Sequence, residues 1–381
     1  MKQRKPKIGC RWSLSPFAVI LSTFCISSLL LLQANYTSFL SSSLRVNVLP
    51  TDTDPKIAFL FIARNRMPLD VIWDAFLLGG DKRFSIFVHS RPGFLFNEAT
   101  TKSSFFLNRQ VNDSIQIVWG EATMVQAERI LLKHALKDPM NHRFVFLSDS
   151  CIPLYNFNYT YDYIMSSSTS FVDSFADTKD ARYNPKMAPI IPPDNWRKGS
   201  QWVILIRKHA EIIVNDNTVF PLFQQHCKRK TLPEFLPHHE TPIDNSKEHN
   251  CIPDEHYVAT LMAQERLEEE ITRRSLTHST WDLSSSKDPE RRGWHPVTYK
   301  LSDITPNLIQ SIKGIDNIYY ETEYRREWCS SGKNPSFCFL FARKFTRPAA
   351  LRLFNIVTFL TPYLSINAVF FNYIVYRESG T

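Results

Sequence analysis

The chain has 381 residues, 43% of them hydrophobic and 22% charged, with only 10 glycines. That is enough apolar material for a sizeable core, and it excludes a collagen-like, disordered or small disulfide-scaffold protein. The net charge of +8 is uneven: residues 1–12 hold five basic side chains and no acid, and residues 325–352 hold seven basic side chains against Glu327, which leaves −3 elsewhere. That distribution disfavours a nucleic-acid partner and leaves two local basic patches to explain.

The first patch abuts Leu14 to Leu32, nineteen residues without charge. At ~1.5 Å per residue this run just spans a hydrocarbon layer of ~30 Å. Five preceding positive charges orient it with the N-terminus in the cytosol. A cleaved signal peptide is the rival reading, but its apolar region would be shorter, about 7–15 residues. The expectation is a cytosolic tail at 1–12, a signal anchor at 13–34, a polar lumenal stem at 35–55 and a lumenal catalytic domain at 56–352. The sequons at Asn35, Asn112 and Asn158 agree with a lumenal body. Five cysteines fall there, with no C-x-x-C pair. In an oxidising lumen Cys329 and Cys338 are placed to close one short loop and Cys227 and Cys251 another, leaving Cys151; five buried thiols is the alternative.

Lys56–Ala63 is a nearly continuous apolar run, which predicts a strand buried on both faces. A helical pattern follows through Leu69, Ile72, Trp73, Phe76 and Leu77. Further strands are predicted at 84–89, 115–118 and 143–147, with a helix over 123–136 carrying Ala127, Ile130, Leu131 and Leu136 on its apolar stripe. This alternation predicts an α/β layered protein with a mostly parallel sheet. Ligands of such sheets bind beyond the carboxyl ends of the strands, here at Arg64, His89 and Asp149, with Glu121 just beyond the 115–118 run. Neither G-x-G-x-x-G nor G-x-x-x-x-G-K-[ST] occurs, so dinucleotide and P-loop chemistry lack support. The second half predicts a strand at 201–206, a helix at 207–215, a long surface loop at 228–253, a helix at 254–268 and a late strand at 337–341. Residues 353–381 form an atypical apolar tail, read as a helix packed on the domain rather than a second span.

Pro253-Asp-Glu-His-Tyr257 places a proline at a helix start and Asp254 and Glu255 in its first turn. Carboxylates there complement the helix dipole; the functional reading is that Glu255 faces a cleft as a general base. With Lys198-Gly-Ser-Gln-Trp202, Cys329 and Cys338-Phe-Leu-Phe-Ala-Arg-Lys344, this block resembles the plant branch of the core-2/I-branching N-acetylglucosaminyltransferase family. Lys56–Phe61, Phe84–His89 and Phe146-Leu-Ser-Asp-Ser-Cys-Ile-Pro-Leu154 resemble it too, and the similarity covers about residues 55–352. The resemblance implies a type II Golgi membrane protein with a GT-A-like fold. It implies inverting sugar transfer from a nucleotide sugar, here read as a UDP-sugar, to a glycan hydroxyl, with no metal or other cofactor.

The family's base falls on Glu255 and its C-terminal bridge on Cys329 and Cys338. Arg343 and Lys344 are the nearest candidates for the donor diphosphate. An arginine expected just before the second bridge cysteine is absent, Pro335 and Ser336 standing there, and Lys333 is its substitute. Arg64, His89, Glu121 and Asp149 are placed by the nucleotide cleft, and Gln201, Trp202, Trp281 and Asp282 on the acceptor side. The second basic patch would supply cations in place of a metal, since arginine forks suit phosphate oxygens. Asp52-Thr-Asp54 matches D-x-D only lexically, because it precedes the first strand; Asp149 alone is a poor divalent cage. His238, His239 and His249 lack a ligand spacing. Two rivals stand beside this reading: a glycoside hydrolase, which needs two facing carboxylates, and a non-catalytic carbohydrate-binding or scaffold protein on a degenerate transferase fold.

Overall fold

In the computed structural model the apolar run becomes β1 (Lys56–Ile62), whose residues Ile57 to Phe61 have no solvent exposure. The structure describes residues 54–178, 182–228, 251–281, 296–331, 334–335 and 337–360, the side chains of 330–335 and 355–360 apart. The anchor at 13–34, nearly all of the stem, most of the 228–253 loop, and residues 361–381 lie outside them. No helix among the described residues is long and apolar enough to cross a membrane.

Alternate side chains of β1 serve two cores. Ile57, Phe59 and Phe61 enter one, and Ala58 and Leu60 the other, as the two-residue period of a central strand requires. On the first face α1 (Asp70–Leu77) brings Trp73 and Phe76 against Phe59, with ring centroids 6.0 and 5.8 Å away. On the second lies α2 (Thr123–Ala135), which buries Val125, Leu131 and Leu132. Parallel strands β2 (Phe84–His89) and β3 (Asn141–Ser148) flank β1, Ile62 pairing with His89 on one side and Ser148 on the other. Their carboxyl ends therefore finish side by side.

Beyond β3 come β4 (Ile152–Pro153), α3 (Phe157–Ser166), β5 (Ser170–Phe171), β6 (Phe175–Ala176), β7 (Arg197–Lys198), β8 (Ile204–Ile206), α4 (Arg207–Asn215), α5 (Val219–His226), α6 (Pro253–Gln264) and β9 (Ile271–Thr272). The main sheet has the order β2-β1-β3-β8-β5-β9. The sheet is mixed: β8 runs antiparallel to both β3 and β5, while the other five strands share one direction, as a mostly parallel sheet requires. The chain leaves β5, makes the antiparallel β6–β7 pair and enters β8 without the α-helix that usually carries a parallel crossover. A smaller sheet joins β10 (Thr277–Ser279), β15 (Phe341–Arg343) and β4. Between its strands lie α7 (Pro306–Lys313), the hairpin β11 (Asn317–Tyr320) and β12 (Arg325–Trp328), and the short pair β13 (Ser330–Ser331) and β14 (Asn334–Pro335). α8 (Arg347–Leu360) follows and buries Leu353 in the first core.

Three predicted strands need correction. Residues 115–118 form none: Val118 is exposed, and the edge of β2 is met instead by Gln110 opposite Val88. The strand at 201–206 is confined to 204–206, because Val203 N–H turns back to the Gln201 carbonyl. The late strand shifts to 341–343, where pairing with β10 and β4 begins. Both cysteine pairs are bridged, Cys227 to Cys251 and Cys329 to Cys338, and Cys151 is a buried thiol.

The Cys329–Cys338 bridge spans nine residues, so its loss frees chain entropy of the unfolded state worth about 3 kcal/mol. Replacing both cysteines by serine is expected to lower stability by that amount in chemical denaturation. A double variant as stable as the parent would show that the bridge contributes nothing to the fold.

Candidate active site

A cavity of about 430 Å³ opens where the second-half elements meet. Its walls come from the 198–202 segment, the first turn of α6, β10, β11 and the end of β15, with Trp119 and Trp281 half-exposed among its lining residues.

The first turn of α6 is held from three directions. Pro253 occupies its first position, where no backbone hydrogen-bond donor is needed. Tyr257 is fully buried; its hydroxyl donates to Asp216 Oδ2 at 2.9 Å and accepts from Arg129 at 2.8 Å. His256 stacks on Trp196 with ring centres 4.7 Å apart, its Nε2 3.2 Å from Asp177 and its Nδ1 2.8 Å from the Ile252 carbonyl. Asp254 is also buried and is not part of the lining, so of the two carboxylates in the turn Glu255 faces the cavity, beside Ile252 and His256. Its carboxylate pairs with the Lys198 ammonium. Its carbonyl accepts the Gly199 N–H at 2.8 Å.

Glycine is required at that contact. A Cβ at residue 199 would lie 1.8 Å from the Asp173 carbonyl oxygen. Gly199→Ala therefore forces two backbones apart. It is expected to cost about 3 kcal/mol or more and to reduce activity through displaced Lys198 and Glu255. Thermal unfolding together with turnover measures both, and an alanine variant with unchanged melting temperature and rate would contradict the packing described.

Beneath Glu255 the acids are buried. Burial, reinforced by repulsion from Glu255, pushes Asp254 up to about 7, against the pull of Lys198 and Arg343. Burial and then the nearby Asp254 hold Glu128 well above the carboxylate range, although Gln201 donates to it at 3.2 Å. Asp173 is raised to about 6, again by burial, and accepts from Tyr320 Oη at 2.6 Å. For a carboxyl raised on folding, the native state keeps a proton that the unfolded chain releases. The Asp254 contribution therefore erodes stability as pH rises from about 4 towards 7. Asp254→Asn is expected to raise the melting temperature relative to the parent at pH 8, with the difference vanishing near pH 4. Scanning calorimetry across that range tests the sign, and a variant less stable at pH 8 than at pH 4, relative to the parent, would refute it.

At the other end, the Arg343 guanidinium lies 4.4 Å from the centre of the Trp202 ring. Burial lowers its pKa, while Cys151, Asp149, Asp254 and Glu255 all act to raise it, which places it between the α6 turn and the carboxyl end of β3. Asp149 accepts a backbone hydrogen bond from Arg64 and feels Arg343, Lys344 and Arg64. Burial lowers the Lys344 pKa, and Arg343 lowers it further.

The structure thus brings Glu255, Arg343, Gln201, Trp202 and Trp281 to one cavity, and Arg64, Asp149 and Lys344 into a cluster that meets it at Arg343. His89 does not line it. It is fully buried and pushed down to about 4, chiefly by burial, and its Nε2 accepts the Ile115 N–H at 3.1 Å. Glu121 also stands outside the lining, 3.9 Å from Lys228. Asp282, Lys333 and Asn35 lie outside the described residues. Asn112 sits in an exposed turn, whereas Asn158 lies in α3 with its Oδ1 accepting from Arg83 at 2.6 Å and Thr160 of its sequon fully buried.

The second basic patch does not act as one. Arg325 is tied to Glu323 and Glu327, Arg347 to Asp70 and the Pro68 carbonyl, and Arg352 to the Leu301 carbonyl. Of its described cations, Arg343 alone lines the cavity. Sequence reasoning missed Lys198, Asp173, Tyr320, Glu128 and Trp119 as site residues. Lys198 stood inside a recognised block, but nothing in the chain links Asp173 to Tyr320, 147 residues later.

Comparison with known proteins bears on this arrangement. The family model described as the core-2/I-branching enzyme matches residues 57–313. Glycosyltransferase BC10 of Oryza sativa subsp. japonica is 70% identical over 304 residues, which cover 79% of this chain and 76% of that protein. Among solved structures, an active-site mutant of LgtC aligns with a TM-score of 0.36 at 9% identity, covering 81% of this chain and 98% of that one. A197 from STIV aligns with a TM-score of 0.20 at 11% identity over 41% and 67%.

Proposed function

We propose a mechanism from one premise: the chain belongs to the core-2/I-branching enzyme family and is a glycosyltransferase. Its substrates are accordingly a sugar donor and an acceptor. In our reading it is an inverting enzyme of GT-A-like fold that transfers a sugar from a UDP-sugar to a glycan hydroxyl.

The observation that carries this reading is the meeting of Glu255 and Arg343, 88 residues apart, on the lining of one cavity. The acceptor hydroxyl loses its proton to Glu255 as its oxygen attacks the anomeric carbon. Lys198, paired with that carboxylate, orients it. The bond from the anomeric carbon to the diphosphate breaks on the opposite side, and configuration inverts. Negative charge then gathers on the leaving UDP, where Arg343 and Lys344 meet it. Arg343 is mostly shielded from water over Trp202, and a preorganised cation in such a place stabilises developing charge strongly. Arg64 and Asp149 hold the donor beside β1 and β3, and Gln201, Trp202 and Trp281 form the acceptor side.

Charge neutralisation is assigned to side chains rather than to a metal. The membrane-anchored Golgi location is part of the same proposal. It is supported by the charge-flanked apolar segment at 13–34 and by two disulfides, which persist in an oxidising lumen.

Glu255→Gln is expected to lower kcat on the order of 10²–10⁴-fold with donor affinity retained, and Arg343→Ala to lower it on the order of 10²–10³-fold. Transfer should persist in EDTA. Steady-state kinetics on the full chain with UDP-sugars tests all three. Wild-type turnover by the glutamine variant would remove Glu255 as the base, and chelator-sensitive transfer would remove the metal-free mechanism.

A further inference from the structure

The hairpin β11–β12 has two faces of opposite character. Its register pairs Asn317 with Trp328, Ile318 with Glu327, Tyr319 with Arg326 and Tyr320 with Arg325. Alternation puts Ile318, Tyr320, Arg325 and Glu327 on one side and Asn317, Tyr319, Arg326 and Trp328 on the other. On the inner side, Ile318 and Tyr320 line the cavity. Arg325 lies 4.1 Å from the centre of the Tyr320 ring and donates to Glu323, Glu327 and the Ser174 carbonyl.

The outer side is open: Tyr319 is 48% exposed and Trp328 61%. Arg326 sits between them, 5.4 Å from the Tyr319 ring centre and 5.7 Å from the Trp328 ring centre, and donates to Asn317 Oδ1 at 2.8 Å. Two flat apolar surfaces are thus interleaved with two planar hydrogen-bonding groups. The face is held rigid by the Arg325 network beneath it and by Cys329, next to Trp328, which is bridged to Cys338 and donates its N–H to the Asp316 carbonyl. Large rings left in water on a rigid frame mark a surface built for contact.

We propose that this outer face is a binding platform for the acceptor glycan, at a point remote from the sugar that reacts. A pyranose with equatorial substituents offers just the matching surface: an apolar face of axial C–H bonds to lie on an aromatic ring, and a rim of hydroxyls for a guanidinium and an amide. Chains linked through equatorial β bonds repeat that flat face, and two rings flanking Arg326 hold more than one sugar. The platform lies on the other face of the strand that walls the cavity, because β11 lines the cavity with Ile318 and Tyr320 and presents Tyr319 outward. An acceptor reaching into the cavity over this edge is gripped twice, which raises affinity for long chains without touching the reacting centre. The proposal rests on the cavity being the transfer site, but its test does not.

The full chain, solubilised in a sugar-free detergent, is titrated with cellohexaose and xylohexaose, with glucose and xylose as single-sugar controls, by calorimetry. Both hexaoses are expected to bind more tightly than the single sugars. Trp328→Ala and Tyr319→Ala should each weaken hexaose binding at least tenfold while leaving UDP binding and melting temperature unchanged, and Trp328→Phe should restore most of it. Glu255→Gln should bind the hexaoses as the parent does, so that a failed mechanism and a failed platform give different results. The platform is overturned if neither hexaose binds, or if the alanine variants bind them normally. It is also overturned if Trp328 and Tyr319 instead govern binding to phosphatidylserine–phosphatidylcholine vesicles, which would make the face a membrane contact.

Discussion

The site depends on a backbone contact: the Lys198-Gly199 segment pressed between Asp173 and the first turn of α6. Gly199 donates to the Glu255 carbonyl and leaves no room for a Cβ against Asp173. That single approach sets where the Lys198 ammonium stands and therefore which way the Glu255 side chain is held. The rest of the helix supports it. Tyr257 with Arg129 and Asp216, and His256 with Trp196 and Asp177, fix the turn so that one carboxylate faces the cavity and its neighbour does not.

The electrostatics follow from the same packing. Burying carboxyl groups raises their pKa unless cations reach them. Burial and then Glu255 push Asp254 towards the neutral form, and burial and then Asp254 do the same to Glu128. Arg343 stands between these acids and Asp149, so one cation spans the distance from the α6 turn to the carboxyl ends of β1 and β3. The inverting transfer proposed above needs that span, since proton removal and departure of the diphosphate then occur on opposite sides of the sugar.

Much of the first half was legible in sequence. β1 read as a strand because its burial on both faces leaves an uninterrupted apolar run, and α2 because its apolar residues recur at helical spacing. The short strands β4 to β7 carried no such pattern, two residues being too few for a period to show. The 115–118 run misled because its apolar residues were read as inward-facing, while Val118 is exposed and His89 supplies the hydrogen bond that a strand partner would have made. Cations were harder still. The cluster at 325–352 is one feature in sequence, but its members pair with the nearby Glu323 and Glu327 and the distant Asp70, and only Arg343 among those described turns into the cavity.

Sequence by itself determined the α/β class, the family and the identity of Glu255 and Arg343 as residues worth pairing, and it offered the two cysteine pairings that the fold then closes. These are properties of local pattern: apolar runs, motif order and residue chemistry. Tertiary structure decided the reversed direction of β8, the exclusion of His89 from the cavity, the roles of Lys198, Gly199 and Tyr320, and the two-faced hairpin. Apart from the hairpin's own pairing, which is local, each of those depends on which segments meet across gaps of tens to over a hundred residues, and no local pattern encodes a contact at that range.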